Sequence, residues 1–163
     1  HLESARRLRL LRDQWVVRRA IVRDYQHAVS AQILFLVKSQ PALDAIRRLD
    51  GPVPSALPKL YSRLAGGADQ LQRRTPPPDL GLVHDRLIGA WRFAEQAVQA
   101  RQIAVSTADV STAWRASSAA AAALMLLSNA QRDLRAFLEP PQGVGSKEPA
   151  GAAQRPAPPP VRR

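Results

Sequence analysis

The sequence has no cysteine, which excludes a disulfide framework, a thiolate nucleophile, a zinc finger, an iron–sulfur cluster and thiol-attached haem. Histidine is scarce too, present only as His1, His27 and His84. The glutamates are Glu3, Glu95, Glu139 and Glu148, and none stands three residues before a histidine, as the Glu-x-x-His pairs of a di-iron bundle require. There is no Gly-x-Ser-x-Gly elbow, no P-loop and no Gly-x-Gly-x-x-Gly after a strand, and no stretch reads as a strand at all. Aromatic residues are 5% of the chain, too few to read as a stacking platform for nucleic acid. The longest uncharged stretch, Ala116 to Gln131, is broken by Ser117, Ser118, Ser128 and Asn129 and falls short of the roughly 20 apolar residues of a membrane span. It reads as a buried helix.

These absences predict a protein that is not an enzyme and holds no cofactor or metal. One metal reading stays open, because Asp24 precedes His27 by three residues and Asp85 adjoins His84, so that two helices could together offer a mixed site.

What is present is apolar periodicity and arginine. The net charge of +11 is carried almost wholly by arginine, lysine occurring only at Lys38, Lys59 and Lys147. Residues 1 to 40 carry +5, 41 to 77 carry +3, 78 to 139 carry zero and 140 to 163 carry +3. From Glu3 to Gln40 no glycine or proline occurs, and Leu8, Leu11, Trp15, Val22, Tyr25, Val29, Ile33 and Leu36 recur at three-four spacing, predicting a long amphipathic helix stopped by Pro41. Leu10, Val17, Ile21 and Phe35 widen its apolar side to about half the circumference, enough for two neighbours, or one neighbour and a partner.

Beyond Pro41 a short helical piece, Ala42 to Leu49, is ended by Asp50, Gly51, Pro52 and Pro54. Ser55 is the expected N-cap of the next helix, with Leu57, Leu60, Tyr61, Leu64 and Leu71 on its apolar face and Gly66-Gly67 positioned to split it. Thr75-Pro76-Pro77-Pro78-Asp79 is a rigid connector into a third helix, marked by Leu80, Val83, Leu87, Trp91, Ala94, Val98 and Val105. An unbroken helix over 79–138 would be about 90 Å long. A hairpin is therefore placed at Ser106 to Asp109, with a Ser-x-x-Asp cap as its chemistry. The last helix, Val110 to Leu138, runs through Trp114, Ala121, Leu124, Leu127, Leu134 and Leu138, and its Ala116–Ala123 segment of alanine and serine suits close internal packing. The plain expectation for Trp15, Trp91 and Trp114 is one shared core; the alternative makes one of them a surface anchor.

The predicted fold class is all-α, an antiparallel three- or four-helix bundle over residues 1–141. The first, third and fourth long helices form its core and the Ser55–Arg74 segment covers one side. Residues 142–163, rich in proline, alanine and glycine, read as a disordered basic tail, since Val144 and Val161 are its only larger apolar residues.

Arg9, Arg12, Arg19 and Arg23 form a stripe beside the apolar face of the first helix, interrupted by Asp13 and Asp24. Arg18 falls inside that face, where it needs a carboxylate from another helix or an interface that is only partly desolvated. These five arginines are the candidate interaction residues. The expected function is that of a non-catalytic scaffold or accessory subunit, docking on a larger assembly, membrane-associated or not, with an acidic or apolar docking surface. Nucleic acid is the weaker expectation, for want of a recognisable module. The alternatives are a binder of an anionic surface through the arginine-rich helix, or a small-ligand or metal-binding bundle.

The stretch Pro76-Pro77-Pro78-Asp79 through His84 and Trp91, followed by the alanine-rich last helix, resembles helical proteins of GC-rich bacteria, many with export signals. The resemblance implies a periplasmic or envelope location and no activity. A start at His1 fits a removed leader or a preceding segment, such as a membrane anchor, through which the chain would reach a membrane.

Overall fold

The structure is a computed structural model and describes residues 2–140. It contains helices α1 (Leu2–Ala28), α2 (Ser30–Arg47), α3 (Leu57–Leu64), α4 (Gly67–Gln72), α5 (Gly81–Thr107) and α6 (Val110–Leu138), with 3₁₀ turns at Pro54–Ala56 and Pro78–Leu80. Among the described residues there is no strand, and the architecture is an all-α bundle. The expected tail over 142–163 lies outside the described residues.

α1 and α2 are one long helix broken only at Val29, whose φ of −105° and ψ of 6° leave the regular helical values. Hydrogen bonds from Val29 N–H to Tyr25 O and from Ile33 N–H to Val29 O carry the chain across the break. Pro41 does not stop it. The ring removes one backbone donor and costs about 3 kcal/mol in a helix interior, but Leu36, Ser39, Leu43 and Ile46 continue one buried stripe through the proline. Fully burying Leu43 and Ile46 contributes about 1.5–3 kcal/mol each, enough to hold the helix together. The stripe has a strict heptad spacing: Val22, Val29, Leu36 and Leu43 at one position, Tyr25, Ser39 and Ile46 at the other, all buried, with half-buried Gln32 between.

The bundle is built on the α5–α6 hairpin, the most extensive helix pair in the molecule. α2 packs on α6 and α5, while α3 and α4 cover α5 from another side. The core therefore takes only the second half of the long first helix. α6 buries its small residues, Ala116, Ser117, Ala120, Ala123 and Ala130, along with Leu127 and Leu134. That narrow face lets α2 approach closely enough for Ser117 Oγ to donate to Arg47 O at 2.6 Å. By length and composition alone α6 would pass for a membrane span, yet a third of the relevant window is buried inside the fold.

The Gly66-Gly67 break falls where the glycines placed it. Gly66 takes the left-handed φ of 81°, and a Cβ on Gly67 would overlap the Trp91 indole, so the α4 backbone lies directly on that ring. Trp91 also stacks on Phe35, with centroids 5.4 Å apart.

Several expectations need correction. Ser55 is not an N-cap: it sits inside the Pro54–Ala56 turn, and α3 starts at Leu57 without a side-chain cap. Ser106 does not pair with Asp109 but donates to Ile103 O. Asp109 is itself the N-cap of α6, accepting from Ser111 N–H and the Thr112 hydroxyl, bonds that hold its carboxyl below the usual range. The tryptophans do not share a core, since only Trp91 is buried while Trp114 is 59% exposed and Trp15 lies at the bundle's end. Val105, assigned to the buried side of its helix, is exposed, because the faces that α5 and α6 turn to each other are set largely by their alanines.

Candidate interaction surface

The seam buried along α2 does not end where the bundle ends. Counting back from Val22 in steps of three and four reaches Arg18, Trp15, Leu11 and Leu8, the same line on the helix surface. Val22 and Tyr25 are 3% and 6% exposed, whereas Leu11 and Leu8 are 44% and 40% exposed. The physical reason is length. The long helix runs antiparallel to α6, with Arg47 beside Ser117 at one end and Trp15 beside Glu139 at the other, where Trp15 Nε1 donates to Glu139 O at 2.9 Å. α6 stops there, so residues 2–14 project about 20 Å beyond the bundle. Leu2, Leu10, Val16, Val17 and Ile21 are exposed along the same helix.

The five candidate arginines all lie on α1, in two groups. Arg9, Arg12, Arg19 and Arg23 share one arc, as the sequence indicated. Arg9, Arg12 and Arg23 are exposed, and none is paired with a carboxylate among the described residues. Arg19 is half-buried, its guanidinium carbon 5.0 Å from the Trp15 ring centroid, a cation–π contact that holds both side chains over the bundle's end. Arg18 stands apart on the seam and faces Asp79, Nε to Oδ2 3.7 Å. Its carboxylate does come from another element, but the pair is solvated, with the Arg18 side chain 68% exposed, so no buried charge has to be offset.

Of the residues weighed for a metal site, His84 has a partner of its own. His84 is buried and its Nδ1 lies 2.8 Å from the Tyr25 hydroxyl, which ties α1 to α5. His27 is exposed, with its backbone carbonyl accepting from Ser30 Oγ. Among the described residues no three His, Asp or Glu side chains gather as metal ligands would.

Two of the surface clefts along the α5–α6 hairpin include an aromatic side chain. One, about 380 Å³, lies between Asp79, Leu82, Val83, Asp133, Ala136 and Phe137, beside the Arg86–Asp133 ion pair. The other, about 480 Å³, includes Phe93, Gln96, Ser111, Trp114, Arg115 and Ser118. Trp114 is thus a surface aromatic with an apolar neighbour, Phe93, rather than a core residue.

No protein family matches the chain, and neither a curated protein nor a solved structure does.

The overhang's signal was present in the sequence, because Leu8, Leu11 and Trp15 were legible as one stripe with Val22 and Tyr25. Where the cover stops was not legible. It depends on where α6 ends relative to the first helix, a tertiary register that no local pattern encodes.

Proposed function

We propose that this chain is a non-catalytic accessory or scaffold subunit that docks on a larger protein assembly through α1. The observation that carries this reading is the change in cover along a single seam: Val22 and Tyr25 are enclosed by their own bundle, while Leu8 and Leu11 continue the same line into solvent. Enclosing an aliphatic side chain contributes about 1.5–3 kcal/mol. Two such side chains, with Trp15 beside them, are enough to anchor a modest interface whose rim is supplied by arginine.

A native pull-down with the intact chain, and with a version ending at Pro141, tests the reading at low and moderate salt. A defined protein partner that survives moderate salt is the expected result. Recovery of only salt-labile nucleic acid or lipid would replace the reading with an anionic-surface binder acting through Arg9, Arg12, Arg19 and Arg23.

A further inference from the structure

We infer that the projecting half of α1 is a docking groove for one acidic amphipathic helix of a partner protein, seated in the corner between α1 and the end of the bundle. The inference rests on the interaction reading above and adds the partner's chemistry.

The shape of the occupant follows from the seam. Along α2 the heptad line is covered by helices α5 and α6. It becomes bare where α6 ends beside Trp15 and α5 begins near Arg18. Leu8 and Leu11 point to the same side as Val22 and Tyr25, so they look along the bundle's end face rather than away from it. A helix fits that corner. A flat bilayer does not, because the ends of α5 and α6 stand beside the seam, and Arg18 on the seam and Arg7 at its border would both enter the apolar layer.

The charge of the occupant follows from the flanks. The positions bordering the seam are Arg7 and Gln14 on one side and Ala5, Arg12 and Arg19 on the other, with no acidic residue among them. Such flanking positions set partner choice and orientation between packed helices. A second copy laid parallel would face Arg7 with Arg12, and one laid antiparallel would face the Arg12–Arg19 edge with itself, so both self-pairings set like charges together. The chain's own residues 141–163 meet the same objection, carrying Lys147, Arg155, Arg162 and Arg163 against Glu148. A partner helix with Leu or Ile on its seam and Glu or Asp at its flanks satisfies both the apolar line and the arginine border.

The test uses the full chain and two synthetic helical peptides that share one Leu/Ile heptad seam, one with Glu and the other with Lys at every flanking position, titrated by calorimetry. The Glu peptide is expected to bind at least about tenfold more tightly than the Lys peptide. The double variant Leu8→Ser/Leu11→Ser should abolish binding, and Arg7→Glu/Arg12→Glu should reverse the preference. All four side chains are exposed, so circular dichroism should show the fold unchanged. Equal affinity for the two peptides, binding that survives Leu8→Ser/Leu11→Ser, or no binding of either peptide would overturn the groove. So would sedimentation showing a dimer that this double variant dissociates, or capture of phosphatidylglycerol vesicles that it abolishes. A protein partner whose capture ignores Leu8→Ser/Leu11→Ser would remove the groove and leave the interaction reading standing.

Discussion

Tyr25 is the residue that fastens the long first helix to the hairpin, through its hydroxyl on His84 Nδ1. Burial, opposed by the positive charge of Arg74 and reinforced by the negative charge of Asp85, pushes its phenol from 10.0 up to about 12. Tyr25→Phe leaves a buried imidazole nitrogen without its partner and should cost about 1–3 kcal/mol, read as a lowered urea midpoint at neutral pH. The pH dependence has a definite sign. An unfolded tyrosine loses its proton near 10 while the folded one keeps it, so the native state binds more protons between 10 and about 12 and stability falls as pH rises through that window. The contribution is fully present below 10. Urea midpoints compared at about pH 9 and about pH 11.5 should therefore drop more for the wild type than for Tyr25→Phe. Equal drops would show that Tyr25 ionises as freely in the fold as out of it.

At the scale of the element, Pro41 separates what local pattern reveals from what packing decides. Read locally, a proline after an unbroken apolar run ends a helix; in the fold the seam passes through it, because Leu43 and Ile46 are fully buried on the line begun by Val22. Pro41→Ala should accordingly stabilise the chain by about 1–2 kcal/mol, the restored helical bond outweighing the added freedom of the unfolded chain. Thermal melting checks this, and a destabilised variant would mean that α2 needs the proline. The same contrast runs through the other helices. The Gly66-Gly67 break and the C-terminal end of α6 were legible because glycine and proline mark them chemically. The α5–α6 turn was located only by a length argument, since it uses Ala108 at a φ of 53°, a left-handed position normally marked by glycine. The buried sides of α5 and α6 were misjudged at Val105 and Trp114, since large residues were taken for the packed face where close approach selects alanine. In the candidate surface, the arginine stripe and the apolar line were legible separately. Their shared overhang was not, since it exists only relative to the end of α6.

For the whole molecule, the question is whether the projecting part of α1 belongs to the stability of the bundle or to something outside it. Residues 2–14 are exposed throughout, and the ties between α1 and the hairpin begin at Trp15, Arg18 and Tyr25. A chain starting at Gln14 keeps all three ties and every buried seam residue, so its stability should lie within about 0.5 kcal/mol of the full chain, the range for changes away from packed features. Leu36→Ala, which empties a fully buried position on the same seam, should cost about 2–5 kcal/mol and serves as the scale for that comparison. Urea unfolding of the three proteins side by side decides the matter. If removing residues 1–13 costs as much as Leu36→Ala, the overhang contributes to this chain's own fold, and its leucines need no partner to explain them. If the cost is negligible, Leu8 and Leu11 extend the seam of the core without serving it, and their physical role is left to an intermolecular contact.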